Sequence, residues 1–171
     1  MKWVAVALMC LVVKLASADS QCDLGTGIPY DKEEIEGIGY IVYSSPNLFE
    51  QVHNIQVNFT LDDESYDVTY LQTVTDEEHP KYFEATWTIT DDKDFREDIP
   101  GIPTFDAEYR LLALVRGSYM IFRGCPPAFD EREFTFVVTA EQCPDENVIK
   151  EAIDRLAMNF SSFFRDPNVK C

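Results

Sequence analysis

The chain has 171 residues, the size of one ordinary domain with a single core. It carries 31 acidic against 14 basic side chains, a formal charge of −17 that repels nucleic acid and anionic membrane surfaces, so neither is expected as a partner. Because 46% of the residues are hydrophobic, the acidity reads as a solvated surface around a folded core.

Met1 to Ala18 reads as a cleavable secretory signal. Lys2 supplies a short positive region, Trp3 to Val13 an apolar run, and Ala16-Ser17-Ala18 the small-x-small cleavage pattern. A transmembrane anchor would need about 20 apolar residues, and Lys14 breaks this run. Cleavage would leave 153 residues, 19–171, as one secreted, extracellular domain; removing Lys2 and Lys14 takes the charge from −17 to −19. Cys10 would leave with the signal. The four that remain, Cys22, Cys125, Cys143 and Cys171, read as two disulfides in an oxidising compartment, with three pairings open. Their spacings do not resemble zinc-ligand pairs and the only histidines are His53 and His79, so neither metal nor cofactor is expected.

After an acidic stretch at 31–36, short segments of alternating polarity follow one another at the spacing of a meander. Strands are predicted at Gly39–Ser45, Asn54–Leu61, Tyr66–Val74 and Tyr82–Thr90, then at Thr104–Val115, Ser118–Gly124 and Glu133–Ala140. In the second, Ile55, Val57 and Phe59 share one face; in the fourth, Phe83, Ala85, Trp87 and Ile89 do. The charged, turn-rich 91–103 has room for a short strand that the pattern does not place. About eight antiparallel strands would leave two exposed edges in an open sheet, and closure into an up-and-down barrel removes both. Beyond Cys143 the period changes. Val148, Ile149, Ala152, Ile153, Leu156 and Phe160 recur at three- and four-residue steps, which predicts one amphipathic helix over about Pro144–Phe164, packed on the outside of the barrel. Pro144 suits the first helical position, and Asp145 with Glu146 complements the helix dipole.

Several segments resemble a known family. Gly37-Ile38-Gly39-Tyr40-Ile41-Val42-Tyr43-Ser44-Ser45-Pro46 is similar to the first strand motif of the lipocalins, with Gly37 at the motif glycine. Tyr109–Ala113, Tyr119–Ala128 and Cys143–Lys150 look like segments of the secreted insect type, including cockroach allergens and gland-secreted carriers. The resemblance implies an all-β fold, an eight-stranded antiparallel calyx with one C-terminal α-helix. It also implies pairing of Cys22 with Cys125 and of Cys143 with Cys171. The chain departs from the family pattern in three places. Gly39 stands where an aromatic, usually Trp, is expected, and Ala140 where a basic residue ends the last strand motif; Tyr40 or Phe134 is the expected substitute plug. Val115-Arg116-Gly117-Ser118 replaces the Thr-Asp-Tyr turn.

Catalysis is not expected, because neither histidine lies in a nucleophile-activating motif and paired cysteines leave no thiol. Alternation sends Ile41, Tyr43, Ile55, Val57, Phe59, Val68, Tyr70, Phe83 and Trp87 inward. They either fill a core or line a pocket for a small hydrophobic ligand of fatty-acid, pheromone or odorant type, with the Tyr43 or Tyr70 hydroxyl meeting a polar head. A nutritive, storage-type secretion is the alternative. A carrier of cationic amines would need an inward carboxylate, which the alternation does not reveal. Sequons at Asn58 and Asn159 predict a glycan on the polar face of the second strand; Asn159 falls within the apolar stripe of a helix that runs through it.

Overall fold

The computed structural model describes residues 22–77 and 79–171, so the predicted signal Met1–Ala18 lies outside the described residues. Eight strands run β1 Gly37–Ser45, β2 Val52–Asp62, β3 Ser65–Val74, β4 Lys81–Ile89, β5 Phe95–Asp98, β6 Glu108–Val115, β7 Tyr119–Gly124 and β8 Phe134–Thr139. Each pairs antiparallel with the next, and β8 pairs with β1 to close the barrel, so no edge is left in its wall. Period-two alternation produces the two faces. In β4, Ala85 and Trp87 are buried inside while Glu84, Thr86 and Thr88 face solvent. The predicted strand from Thr104 begins only at Glu108. Residues 99–106 instead form turns, in which the Asp106 carboxylate accepts the Ile99 N–H at 2.9 Å.

One end of the barrel is sealed by the chain that precedes β1. The 3-10 turn Lys32–Glu34 lies across it, and Ile35, 1% exposed, joins the barrel core. Lys32 reaches Glu64 at 2.6 Å, Tyr66 OH donates to Lys32 O at 2.8 Å, and Tyr30 OH donates to Lys93 O at 3.1 Å, which ties the arm to the β2–β3 and β4–β5 turns. Above it Phe59, Tyr66, Trp87, Phe95 and Phe122 pack with ring centroids 5.2 to 6.3 Å apart. The plug expected from Tyr40 or Phe134 is therefore built from other residues. Tyr40 packs on the outside with the helix, and Phe134 lies at the opposite end, stacked on Phe129 at 4.5 Å. At Gly39 a β-carbon would come within 2.5 Å of Val138 Cγ1, so the site that holds Trp in the family motif has no room for any side chain.

The helix is shorter than its periodicity predicts. α1 spans Glu146–Arg155, with Asp145 as N-cap accepting the Asn147 N–H at 2.9 Å and Ile149, Ala152 and Ile153 buried against the outer wall. It stops at Leu156, followed by Ala157 with φ 56°, and not at Phe164. The reason is a competing tertiary pairing. Phe164–Arg165 forms a short strand, β9, on Tyr43 and Ser44 of β1, and the buried Asp166 carboxylate then accepts the N–H groups of Asn54 and Asn168. A helix continued through Phe164 would lose all of these bonds. Asn159 consequently sits exposed as the cap of a 3-10 turn, Phe160–Ser162, outside any apolar stripe. Cys22 is joined to Cys125 and Cys143 to Cys171, with Cα atoms 6.2 and 5.6 Å apart. The closed loops, separated by 103 and 28 residues, each contribute about 3 to 5 kcal/mol on the chain-entropy account.

Candidate ligand cavity and its buried carboxylate

The half of the barrel away from the sealed end is hollow. A cavity of about 100 Å³ lies beneath the β1–β2, β5–β6 and β7–β8 connections. Its wall is made by inward residues of the strands, Ile41, Ile55, Tyr70, Phe83, Glu97, Tyr109 and Phe136, and its upper rim by Leu48, Val52, Ile99, Ile102, Phe105 and Phe134, with Gln51 and Gln72 as polar members. Of the residues predicted to face a ligand, Ile41, Ile55, Tyr70 and Phe83 line this space. Val57, Phe59, Val68 and Trp87 also point inward but belong to the filled part of the core.

Tyr43 does not face the interior. The β1–β8 register shifts between Ile41 and Tyr43, and this bulge inverts the alternation, so Tyr43 is buried outside the wall, 5.7 Å from the Phe160 ring. Its hydroxyl has no hydrogen-bond partner among the described residues, and burial pushes its pKa up.

The chemistry of the cavity is set by a residue that the sequence reading passed over. Glu97 lies on β5 directly opposite Trp87 on β4, and the side chain is only 5% exposed. Tyr70 OH donates to Glu97 Oε1 at 2.6 Å and Trp87 Nε1 donates to the same oxygen at 2.8 Å. Among the described residues no donor bonds Oε2, which is left towards the cavity. Tyr109 stacks flat on Trp87, 5.4 Å between centroids, and its hydroxyl donates to Phe105 O at 3.1 Å while lying beside the Glu97 carboxyl. Burial pushes the Glu97 carboxyl up to about 7, against the opposing effect of the Tyr70 and Trp87 hydrogen bonds. Burial, reinforced by the nearby Glu97, holds the Tyr70 and Tyr109 phenols far above their usual range, so both act as neutral donors.

Glu97 escaped notice because β5 is four residues long and sits in a charged stretch that reads as turn. One signal was present: Phe95, Glu97 and Ile99 follow each other at period two, so an inward Phe95 carries Glu97 in with it. A second buried acid, Asp94, 4% exposed, has a structural role. Arg110 grips it through Nε at 2.8 Å and Nη2 at 2.6 Å, and Arg110 Nη1 donates to Gly25 O at 2.8 Å, fastening the N-terminal arm to the outer wall. Among the described residues no cluster of three or more His, Cys, Asp or Glu could hold a metal ion, and no helix is long and apolar enough to cross a membrane.

A closed barrel of eight antiparallel strands with one C-terminal helix on its wall is the lipocalin fold, and the chain adopts it. The amine-binding protein of Rhodnius prolixus, solved as its tryptamine complex, superposes with a TM-score of 0.67 at 12% identity over 86% of each chain. Lobster apocrustacyanin A1 does so with a TM-score of 0.65 at 11% identity, over 79% of this chain and 78% of the other. The cockroach allergen Per a 4 follows with a TM-score of 0.56 at 17% identity, over 81% and 87%. No protein-family model matches the sequence, and no curated protein matches it significantly.

Proposed function

We propose that the chain is an exported lipocalin of the secreted insect type that carries a small molecule with an apolar body inside its barrel. The observation that carries this reading is the cavity itself. It is lined mostly by aliphatic and aromatic side chains and contains a single buried carboxyl group with its phenol and indole donors. Binding would be driven by removing apolar ligand surface from water, at about 25 cal/mol per Å² before ordering costs. The size of the space bears on the ligand. About 100 Å³ is well under the ~300 Å³ at the lower end of drug-sized pockets, which favours short odorant-like molecules over long fatty acids.

Export is supported by the predicted signal and by two disulfides that need an oxidising compartment. The segments that resemble cockroach lipocalins support a kinship with the milk lipocalin of a viviparous cockroach. Asn58 is partly exposed on the outer face of β2 and Asn159 is exposed, so we propose both as glycan acceptors. Intact-mass measurement of native material should show two glycans, and an unmodified Asn58 would remove the first.

Native extraction followed by mass spectrometry of co-purifying small molecules tests the carrier reading. A defined set of small apolar molecules is expected. A consistently empty barrel would count against it and favour a nutritive secretion.

A further inference from the structure

The polarity of the cavity selects among ligands of the same apolar body, and this selection rests on the carrier reading above. Glu97 is the acid inside the barrel, more than nine-tenths buried, with Oε1 saturated by Tyr70 and Trp87 and Oε2 turned to the cavity. No Lys, Arg or His is found among the residues that line the space. The other charged group near the carboxyl is Asp106, also an acid, held by the Ile99 N–H on the β5–β6 connection. The polar groups at the carboxyl are the Tyr70 and Tyr109 hydroxyls and the Trp87 indole, all neutral donors, and the uncharged amides of Gln51 and Gln72 line the same cavity.

We propose that the cavity is built for a small primary amine bound as the ammonium ion, its nitrogen donating to Glu97 Oε2 and its short apolar body lying against Phe83, Phe105 and Phe136. An unpaired carboxylate in an apolar site is costly, and an ammonium supplies both the opposite charge and the missing donor. A carboxylate ligand has the reverse chemistry. It would enter a space lined by one acid and no base, with the Asp106 carboxylate close by, so anionic fatty acids are disfavoured by charge as well as by size. A neutral alcohol falls between, since it can donate to Oε2 without compensating the charge. The strongly acidic exterior, −17 over the chain, also raises the local concentration of cations.

The experiment uses three probes with one carbon skeleton, butylamine, 1-butanol and butanoate, titrated into the full chain at pH 7.5. The readout is the NMR resonance of the Trp87 indole N–H, which is bonded to Glu97. We expect butylamine to bind at least tenfold tighter than butanol, with butanoate weakest, and Glu97→Gln to reduce the amine-to-alcohol ratio to about one. The wild-type ranking decides the matter even if that variant does not fold. Butanol or butanoate binding as tightly as butylamine would overturn the amine assignment and leave the carrier reading in place. If no probe moves the resonance while native protein carries a co-purified molecule, the assignment alone fails. If native protein is empty as well, both fail.

Discussion

The two halves of one barrel are made from the same strands and differ in how they are filled. Towards the sealed end, Phe59, Tyr66, Phe95 and Phe122 surround the Trp87 ring and are at most 1% exposed, so the interior there is solid aromatic packing. Towards the loop end the same inward rows continue as Tyr70, Phe83 and Glu97, but the space between them is open. The difference shows that an unbroken alternation of apolar residues fixes which way a side chain points and not whether the space it enters is full. A hollow half becomes tolerable because the solid half holds the strands in register beneath it.

The largest expected effect is a cut into the solid half. Phe95 is fully buried and touches Tyr30, Tyr66, Trp87 and Phe122. Phe95→Ala should cost about 3 to 5 kcal/mol in urea unfolding, since packed rings on every side cannot collapse into the void. A cost under about 1 kcal/mol would mean that the two halves do not differ in packing.

Glu97, at the boundary, gives the next largest effect, and its direction depends on pH. In the folded chain the carboxyl takes up a proton near pH 7, while in the unfolded chain it does so near 4.5. Between those values the folded state binds the extra proton, so stability falls as pH rises through the window and levels off above it. Glu97→Gln removes the charge and keeps an oxygen for Tyr70 and Trp87. It should gain about 2 to 3 kcal/mol at pH 8 and almost nothing at pH 4.5. A gain that is the same at both pH values would show that the charge is not the cost.

Tyr70→Phe acts on the same group in the opposite sense. It removes the 2.6 Å bond to Glu97 Oε1 and should cost about 1.5 to 3 kcal/mol at pH 8, where the acceptor is charged, and about 1 kcal/mol at pH 4.5. Urea unfolding at the two pH values measures the difference, and an equal cost at both would place the charge elsewhere.

The solid half was the more legible in the sequence. Val57 and Phe59, or Ala85 and Trp87, announce strands that are buried on one side, and closure follows from the number of such strands. What escaped was decided by contacts between distant segments. Tyr43 reversed its facing because β1 bulges against β8, and the helix ended early because Phe164 and Arg165 pair with β1. Glu97 was hidden by the shortness of β5, whose burial comes from its neighbours β4 and β6 and not from its own four residues. The cavity wall was half visible, since it needs strand residues that alternate and rim residues such as Leu48, Ile102 and Phe105 that lie in connections without a period.

The smallest effect comes from repeating the first substitution in the hollow half. Phe83 is only partly buried and already borders the cavity, paired across β3–β4 with Tyr70. Phe83→Ala removes contacts on one face only and adds its volume to a space that exists, so the new surface is partly wetted and the cost should be about 1 kcal/mol. The same deletion that breaks the solid half should here act mainly on binding. The enlarged cavity should accept hexylamine as well as butylamine, shifting the preferred chain length upward while the Trp87 indole resonance still reports an ammonium at Glu97. If Phe83→Ala unfolds the chain as readily as Phe95→Ala, the loop end is part of the structural core, and the open space is a packing remnant with no bearing on a ligand.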